Sequence, residues 1–185
     1  MTVFTRRSFL AAASAPLALA ACGNGVGGNG AARIDGRVDQ AFAFMYQTLP
    51  ETQVLAQKAV GILMMPVVTE FGLGLGGAYG RGALQVDGVT VDYYSTSELS
   101  FGLQAGGQQY SHALFFMTQP ALLNFRTSPG FTAGANLSYA VSTNAGAIST
   151  GTTELLTPVI AVIFGQAGLI AGASLEGTKY NRIIP

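Results

Sequence analysis

Hydrophobic positions in this chain follow one period near its beginning and another in the remainder. Over residues 35–49 the apolar side chains recur every three or four positions, as on one face of an amphipathic helix: Val38, Ala41, Phe42, Met45, Tyr46 and Leu49. The motif Thr48-Leu49-Pro50-Glu51 has the form of a capping box and predicts a second, short helix through Lys58. From Phe71 onward, apolar and polar residues alternate, which is the period of a strand.

Turn residues and apolar runs divide the alternating region into strands. Asp87-Gly88 separates two alternating stretches and predicts a two-residue hairpin turn. The alternation changes phase at Gly106-Gly107, which predicts a β-bulge. The most regular alternation in the chain, which is typical of strand structure, is over residues 131–141. The unbroken apolar runs at residues 62–68 and 159–164 predict buried strands.

Together these elements predict an α+β domain. Two N-terminal helices precede roughly six to eight antiparallel strands, and residues 118–126 predict one short helix inserted among them. The chain has 25 glycines and no tryptophan, and many of the glycines fall inside predicted strands. Glycine within strands favours strong curvature, so we expect a glycine-rich, strongly curved sheet that forms a barrel or a closed sandwich.

The first residues have the order of a bacterial export signal. Arg6 and Arg7 precede a stretch of small apolar residues, as in signals of the twin-arginine type. Leu19-Ala20-Ala21-Cys22 resembles the lipobox of lipoproteins, in which cleavage precedes a cysteine that carries fatty acyl chains such as palmitate. We therefore predict a signal peptide at residues 1–21, the acylated Cys22 with a flexible linker to residue 34, and a domain at residues 35–185. An ordinary signal cleaved at the same alanines is the alternative.

The lipobox also predicts a location. By resemblance to lipoprotein sorting rules, the lack of an aspartate directly after Cys22 favours the outer membrane. We expect a lipid-anchored protein of the bacterial cell envelope that faces the periplasm.

Composition excludes several functional classes. Without Arg6 and Arg7, the nine Lys and Arg become seven, against nine Asp and Glu, so the domain lacks the basic surface of a nucleic-acid binder. Cys22 is the only cysteine and His112 the only histidine, which argues against thiol catalysis, disulfides and metal clusters. His112 and its neighbour Ser111 would point to opposite faces of a strand. We expect a structural histidine, no cofactor and no enzymatic activity.

Two motifs allow a second interpretation. Residues 72–77 contain the dinucleotide-binding spacing Gly-x-Gly-x-x-Gly, but the glycines that follow are incompatible with the helix which that site requires. A curved strand is the better interpretation. Residues 155–175 are apolar enough for a membrane span, yet Pro158, Gly165 and the β-branched run between them favour two buried strands.

Four sequence blocks resemble the SYLF-domain family over about residues 38–185. They are QKAVGILMMP at 57–66, FGLGLGGAYG at 71–80, SFGLQAG at 100–106 and GLIAGASLEG at 168–177. The resemblance implies a lipid-binding module. Eukaryotic relatives recognise phosphoinositides, sometimes alongside actin, and bacterial members are commonly exported lipoproteins. The chain lacks the strongly basic leader of the eukaryotic pattern, since Arg33 and Arg37 are the only cations there.

Lipid phosphate is bound by cations beside apolar surface, which identifies candidate headgroup contacts. They are Lys58, Arg81, Lys179 and Arg182, with Tyr180 as an interfacial anchor. We expect the partner to be anionic membrane phospholipid. The alternatives are solvated surface charges on a structural or assembly lipoprotein that contacts another envelope protein, or an enzyme, for which the sequence shows no acid–base or nucleophile cluster.

Overall fold

The computed structural model describes residues 28–133, 139–142, 157–168 and 175–185. The predicted export signal and Cys22 lie outside these ranges. The described helices are α1 (Gly30–Thr48), α2 (Thr52–Lys58) and α3 (Gln119–Thr127). The described strands are β1 (Gly61–Val86), β2 (Val89–Phe116), β3 (Phe131–Thr132), β4 (Tyr139–Ser142), β5 (Val159–Gly168) and β6 (Lys179–Ile183).

The sheet is organised around the long strand β2. Strand β1 pairs with one edge of β2 along nearly its whole length. The other edge pairs with β6 through residues 93–97 and with β5 through residues 108–116. Strand β3 extends the sheet beyond β6, and β4 extends it beyond β5. All pairs are antiparallel except β4–β5, which is parallel. The sheet curls strongly into a half-barrel, so the predicted α+β class and curvature are confirmed.

Both faces of the sheet are buried where the apolar runs lie. The inner face packs on α3, whose Leu122 and Phe125 belong to one buried cluster, and the outer face packs on α1 and α2. Successive residues of β5 alternate between these clusters: Val159, Ala161 and Ile163 face inward, and Ile160, Val162 and Phe164 face outward. A strand covered on both faces needs no polar residues, which confirms the prediction for residues 159–164 and for residues 62–68 except Val67, which is exposed.

The tightest part of the curl depends on two glycines. A β carbon added at Gly82 would collide with the carbonyl oxygen of Met64 and lie 2.6 Å from the sulfur of Met65. One added at Gly80 would lie 2.8 Å from the carbonyl oxygen of Val67. The beginning and end of β1 therefore cross with their backbones in contact, which only a residue without a side chain permits.

Helix boundaries depart from the sequence prediction at two places. Helix α1 begins at Gly30, so residues 30–34 belong to the helix and not to a linker. The capping box is wrong: Thr48 ends α1 and donates to the Phe44 carbonyl at 2.8 Å, while Glu51 makes no capping bond. Apolar packing of α1 on the sheet extends the first helix through Thr48. Helix α3 is confirmed, with Thr118 as its N-cap.

Among the strands, predictions made from a few adjacent residues agree with the structure better than predictions made from a long alternating pattern. Asp87 and Gly88 have φ angles of 50° and 75°, which confirms the hairpin turn. A register shift leaves residues 103 and 104 unpaired with β1, just before the predicted bulge at Gly106. The alternating residues 131–141 include two described strands with different partners: β3 pairs with β6, whereas β4 pairs with β5; residues 134–138 lie outside the described ranges. Alternation therefore does not specify the partner of a strand.

The glycine-rich motif and the apolar C-terminal segment both form strands. Residues 72–77 lie within β1, with no helix at the glycines. Residues 159–168 form β5, and residues 169–174 lie outside the described ranges. None of the helices in the described ranges is both long and apolar enough to cross a membrane.

Candidate functional site

The only histidine is a core residue. His112 is fully buried on the inner face, where its Nε2 lies 2.9 Å from the hydroxyl oxygen of Tyr180. Burial lowers the pKa of His112 to about 3, so the ring is neutral at neutral pH. Ser111 points to the other face and donates to the Pro66 carbonyl at 2.6 Å. The two side chains form no catalytic couple, and the structural interpretation of His112 is confirmed.

Helix α1 is held on the outer face in one rotational setting. Ile34 and Val38 are buried against the sheet, and the carboxylate of Asp35 accepts hydrogen bonds from Tyr93 at 2.8 Å and Thr90 at 3.1 Å. Asp35 faces the end of the sheet that contains the β1–β2 turn. Arg33 and Arg37 are four residues apart and share the opposite flank of the helix.

That flank forms one side of a cavity of about 340 Å³, which we call the arginine cavity. It lies where the beginning of α1 meets the crossing point of β1. Arg81 on β1 closes the cavity, and its Nε donates to the Tyr79 hydroxyl at 2.8 Å. Its lining residues are Gly30, Arg33, Ile34, Arg37, Pro66, Val67, Thr69, Tyr79, Gly80 and Arg81.

Electrostatics favour an anion in the arginine cavity. No Asp or Glu lines it, although the main-chain carboxyl group of Pro185 packs against Gly30, and within the described residues the only Arg–carboxylate ion pairs are those of Arg126 and Arg182 with Asp92. The first turn of α1 carries no acidic residue, and the positive end of the helix dipole lies beside the three guanidinium groups, where the main-chain carboxyl group of Pro185 offsets part of its potential. Guanidinium groups and helix N-termini both bind phosphate. The cavity can therefore hold a phosphate-bearing group.

A second cavity has the opposite character. It measures about 440 Å³ and lies between α1, α2 and the β1–β2 turn. Asp39 and Asp87 line it, and no Lys or Arg does. Its charge is unsuited to phosphate, so of these two cavities the arginine cavity is the candidate phosphate site.

Exposed apolar side chains lie beside the arginine cavity on the outer face. Val67 and Tyr79 line the cavity and are 40% and 48% exposed. Phe71 is 63% exposed and its ring reaches Gly77, and Leu99 is 80% exposed and lies directly across from Gly77 on β2. We call the four residues Val67, Phe71, Tyr79 and Leu99 the apolar rim. Adjacent exposed hydrophobic residues of this kind mark interaction surfaces.

The structure separates the headgroup contacts that the sequence predicts. Arg81 lines the arginine cavity, and Lys179 shares its face, because Lys179 pairs with Ser97 and Ser97 pairs with Tyr79. Strand spacing puts the Cα atoms of Lys179 and Tyr79 about 10 Å apart.

The other predicted contacts lie elsewhere. Tyr180 is buried in the inner cluster, bonded to His112. Arg182 is on the face opposite Lys179 and pairs with Asp92 at 3.3 Å. Lys58 is exposed at the end of α2, away from the cavity lining. The sequence analysis assigns no headgroup contact to Arg33 and Arg37, although their spacing of four residues predicts that they share one face of a helix.

Comparison with known proteins gives one family match. Residues 97–182 match a family model, Ysc84, described as Las17-binding protein actin regulator. The match covers just under half of the 185 residues and is consistent with the SYLF-domain resemblance of the sequence. No curated protein matches it.

The SYLF family is associated with the binding of lipid or actin regulators. The matched segment runs from Ser97 in β2 to Arg182 in β6 and contains Leu99 and Lys179. The three arginines of the cavity precede it. Their assignment to a site rests on geometry and charge.

Proposed function

We propose that this SYLF-like domain binds anionic phospholipid at a membrane surface, with the lipid phosphate held in the arginine cavity. The observation that carries the proposal is the convergence of Arg33, Arg37 and Arg81 on one cavity that no Asp or Glu side chain lines. Guanidinium N–H donors match the oxygens of a phosphate, and here Arg33 also donates to Asn29 and Arg81 to Tyr79. The family match supports the same conclusion, since lipid binding is among the associated functions.

The size and position of the cavity suit a headgroup. A volume of about 340 Å³ is near the lower end of the range for small-molecule sites, roughly 300–1,000 Å³. All three arginines are exposed, so their guanidinium groups can contact lipid phosphates at a flat membrane surface. A headgroup would enter from the outer face, and its acyl chains would stay in the bilayer.

The proposal includes export and a lipid anchor on Cys22 in the bacterial cell envelope, at the outer membrane facing the periplasm. Arg6 and Arg7 in the signal and the Leu-Ala-Ala-Cys motif support it. Gly30 lines the arginine cavity and is eight residues beyond Cys22. Eight residues span at most about 28 Å, so an anchored Cys22 would keep the cavity close to the membrane.

Acylation of Cys22 has a direct test. We expect cells that express the chain to incorporate a palmitate analogue into it, and the Cys22→Ala variant to incorporate none, because the thiol is the acceptor. Gel fluorescence after coupling a dye to the analogue measures this. Label that persists in the variant contradicts the anchor.

We further propose that the domain is not an enzyme. The buried, neutral His112 supports this, since its ring contacts the core and not the cavity. The rival function is binding of a protein partner, which the family description favours. A protein partner would use the same exposed face without any requirement for lipid phosphate.

Co-sedimentation with vesicles tests the proposed function. The Cys22→Ala chain, which has no acyl anchor, is expected to bind phosphatidylcholine vesicles that contain phosphatidylglycerol and to bind pure phosphatidylcholine vesicles far more weakly. High salt should weaken the first interaction, because ions screen exposed charges. Equal binding to both vesicles, or no binding at low salt, would refute the proposal and favour the protein-partner function.

A further inference from the structure

We propose that the apolar rim enters the acyl region of the membrane whose phosphate the arginine cavity binds. Phe71 and Leu99 would form the penetrating tip, and Tyr79 would lie at the level of the headgroups. The inference rests on the proposed function and deepens it, since it adds the insertion of apolar side chains into the bilayer to the binding of the headgroup. The occupant is a lipid bilayer with anionic headgroups.

The side chains of the apolar rim are exposed to an extent that is typical of a surface which a partner covers. Phe71 and Leu99 are more exposed than most of the other large apolar side chains described. They lie side by side, since the Phe71 ring approaches within 4.0 Å of the position that a β carbon on Gly77 would occupy, and Leu99 is the cross-strand neighbour of Gly77. The absence of a side chain at Gly77 brings the two residues together.

Charges around the rim favour an anionic partner. Glu70 and Glu98 flank Phe71 and Leu99 in sequence, yet both carboxylates point to the inner face. Glu70 accepts a hydrogen bond from Gln108 at 2.6 Å, and Glu98 accepts one from Thr178 at 2.7 Å. Gln108 and Thr178 are buried.

Near the rim, the outer face therefore carries positively charged side chains, whereas the carboxylates of Glu70 and Glu98 point away from it. Arg81 donates to the hydroxyl of Tyr79, a rim residue, and Lys179 lies two strands from Tyr79. An aromatic ring with a polar tip is typical of the membrane interface. The order from cavity to tip is arginine, tyrosine, then phenylalanine and leucine, which follows the order from phosphate to acyl chain in a lipid.

Transfer of the tip side chains into the acyl layer would strengthen binding. Complete burial of one Phe or Leu side chain corresponds to roughly a tenfold change or more in affinity. Both side chains are already partly covered, so we expect the Phe71→Ser, Leu99→Ser double variant to bind phosphatidylglycerol vesicles about 10- to 100-fold more weakly. Its fold should persist because both positions are exposed.

A single tryptophan reports insertion directly. The chain contains no tryptophan, so Phe71→Trp in the Cys22→Ala chain supplies the only indole. With vesicles of phosphatidylcholine and phosphatidylglycerol, its emission should shift to the blue, and lipids brominated on the acyl chains should quench it. Val89→Trp is the matched control, because Val89 is 64% exposed at the β1–β2 turn, away from the rim. We expect neither effect there.

The outcomes separate this inference from the proposed function. If the Phe71→Trp variant binds the vesicles but its indole emission is neither shifted nor quenched, insertion is overturned and phosphate binding stands. If no anionic vesicle binds at all, the proposed function fails first. A blue shift that grows with protein concentration without vesicles would assign the rim to a second copy of the chain, and would also overturn insertion.

Discussion

Replacing Gly82 with alanine is expected to lower the free energy of unfolding by about 3 kcal/mol or more. The added methyl group would occupy the space of the Met64 carbonyl oxygen and press on the sulfur of Met65. A side chain can rotate away, but the carbonyl belongs to the backbone of the same strand and can move only if the crossing opens. Because domains of this size are stable by roughly 5–15 kcal/mol, the variant should be close to unfolding.

Denaturation in urea, followed by circular dichroism, measures the effect. Gly36→Ala is the matched control, since Gly36 is exposed inside α1 and a β carbon there meets nothing within 4 Å. Alanine is the better helix former, so the control should gain about 0.5–1 kcal/mol. If Gly82→Ala unfolded at the same denaturant concentration as the unsubstituted chain, the two ends of β1 would not be in contact.

The features that sequence predicts well are those determined by adjacent residues. Asp87-Gly88 adopts its turn because the required φ angles are local to these two residues. Thr118 caps α3 for the same reason, through its bond with Ala121 three positions later. Likewise, apolar runs predict burial because a strand with no polar face needs cover on both sides.

Prediction fails where tertiary contacts decide. The Thr48 motif has the residues of a capping box, but packing of α1 keeps Thr48 inside the first helix. Regular alternation over residues 131–141 does not reveal which strand each part will pair with. Tyr180 looked like an interfacial residue, yet its position in β6 points it toward His112. In all three cases the neighbouring residues in the sequence do not specify the tertiary contact that is made.

The arginine cavity could not be predicted from the sequence for the same reason. Arg33 and Arg37 are separated from Arg81 by more than forty positions, and they meet only because α1 docks across the crossing of β1. The bonds from Asp35 to Tyr93 and Thr90 set the rotation of the helix. Sequence alone identified Arg81 as a cation near apolar residues, but it could not identify its companions.

Neutralising the three arginines should have the largest effect on function. In the Arg33→Gln, Arg37→Gln, Arg81→Gln variant, binding to phosphatidylglycerol vesicles at low salt should fall by about 3 kcal/mol, on the order of 150-fold, at about 1 kcal/mol for each charge. Binding of the variant to the vesicles should also depend less on salt concentration. The fold should persist, because all three side chains are exposed and none forms an ion pair with a described carboxylate.

A second triple variant, Lys58→Gln, Arg126→Gln, Arg182→Gln, removes the same number of positive charges away from the cavity. Arg126 and Arg182 are already paired with Asp92, so their loss should weaken binding only slightly. Vesicle titrations of both variants in the Cys22→Ala chain compare the two sets. Equal losses would show that net charge governs binding and that the cavity is not a site. A loss confined to the second variant would place the headgroup near Lys58 or Arg182, as sequence predicted, and not where α1 meets β1.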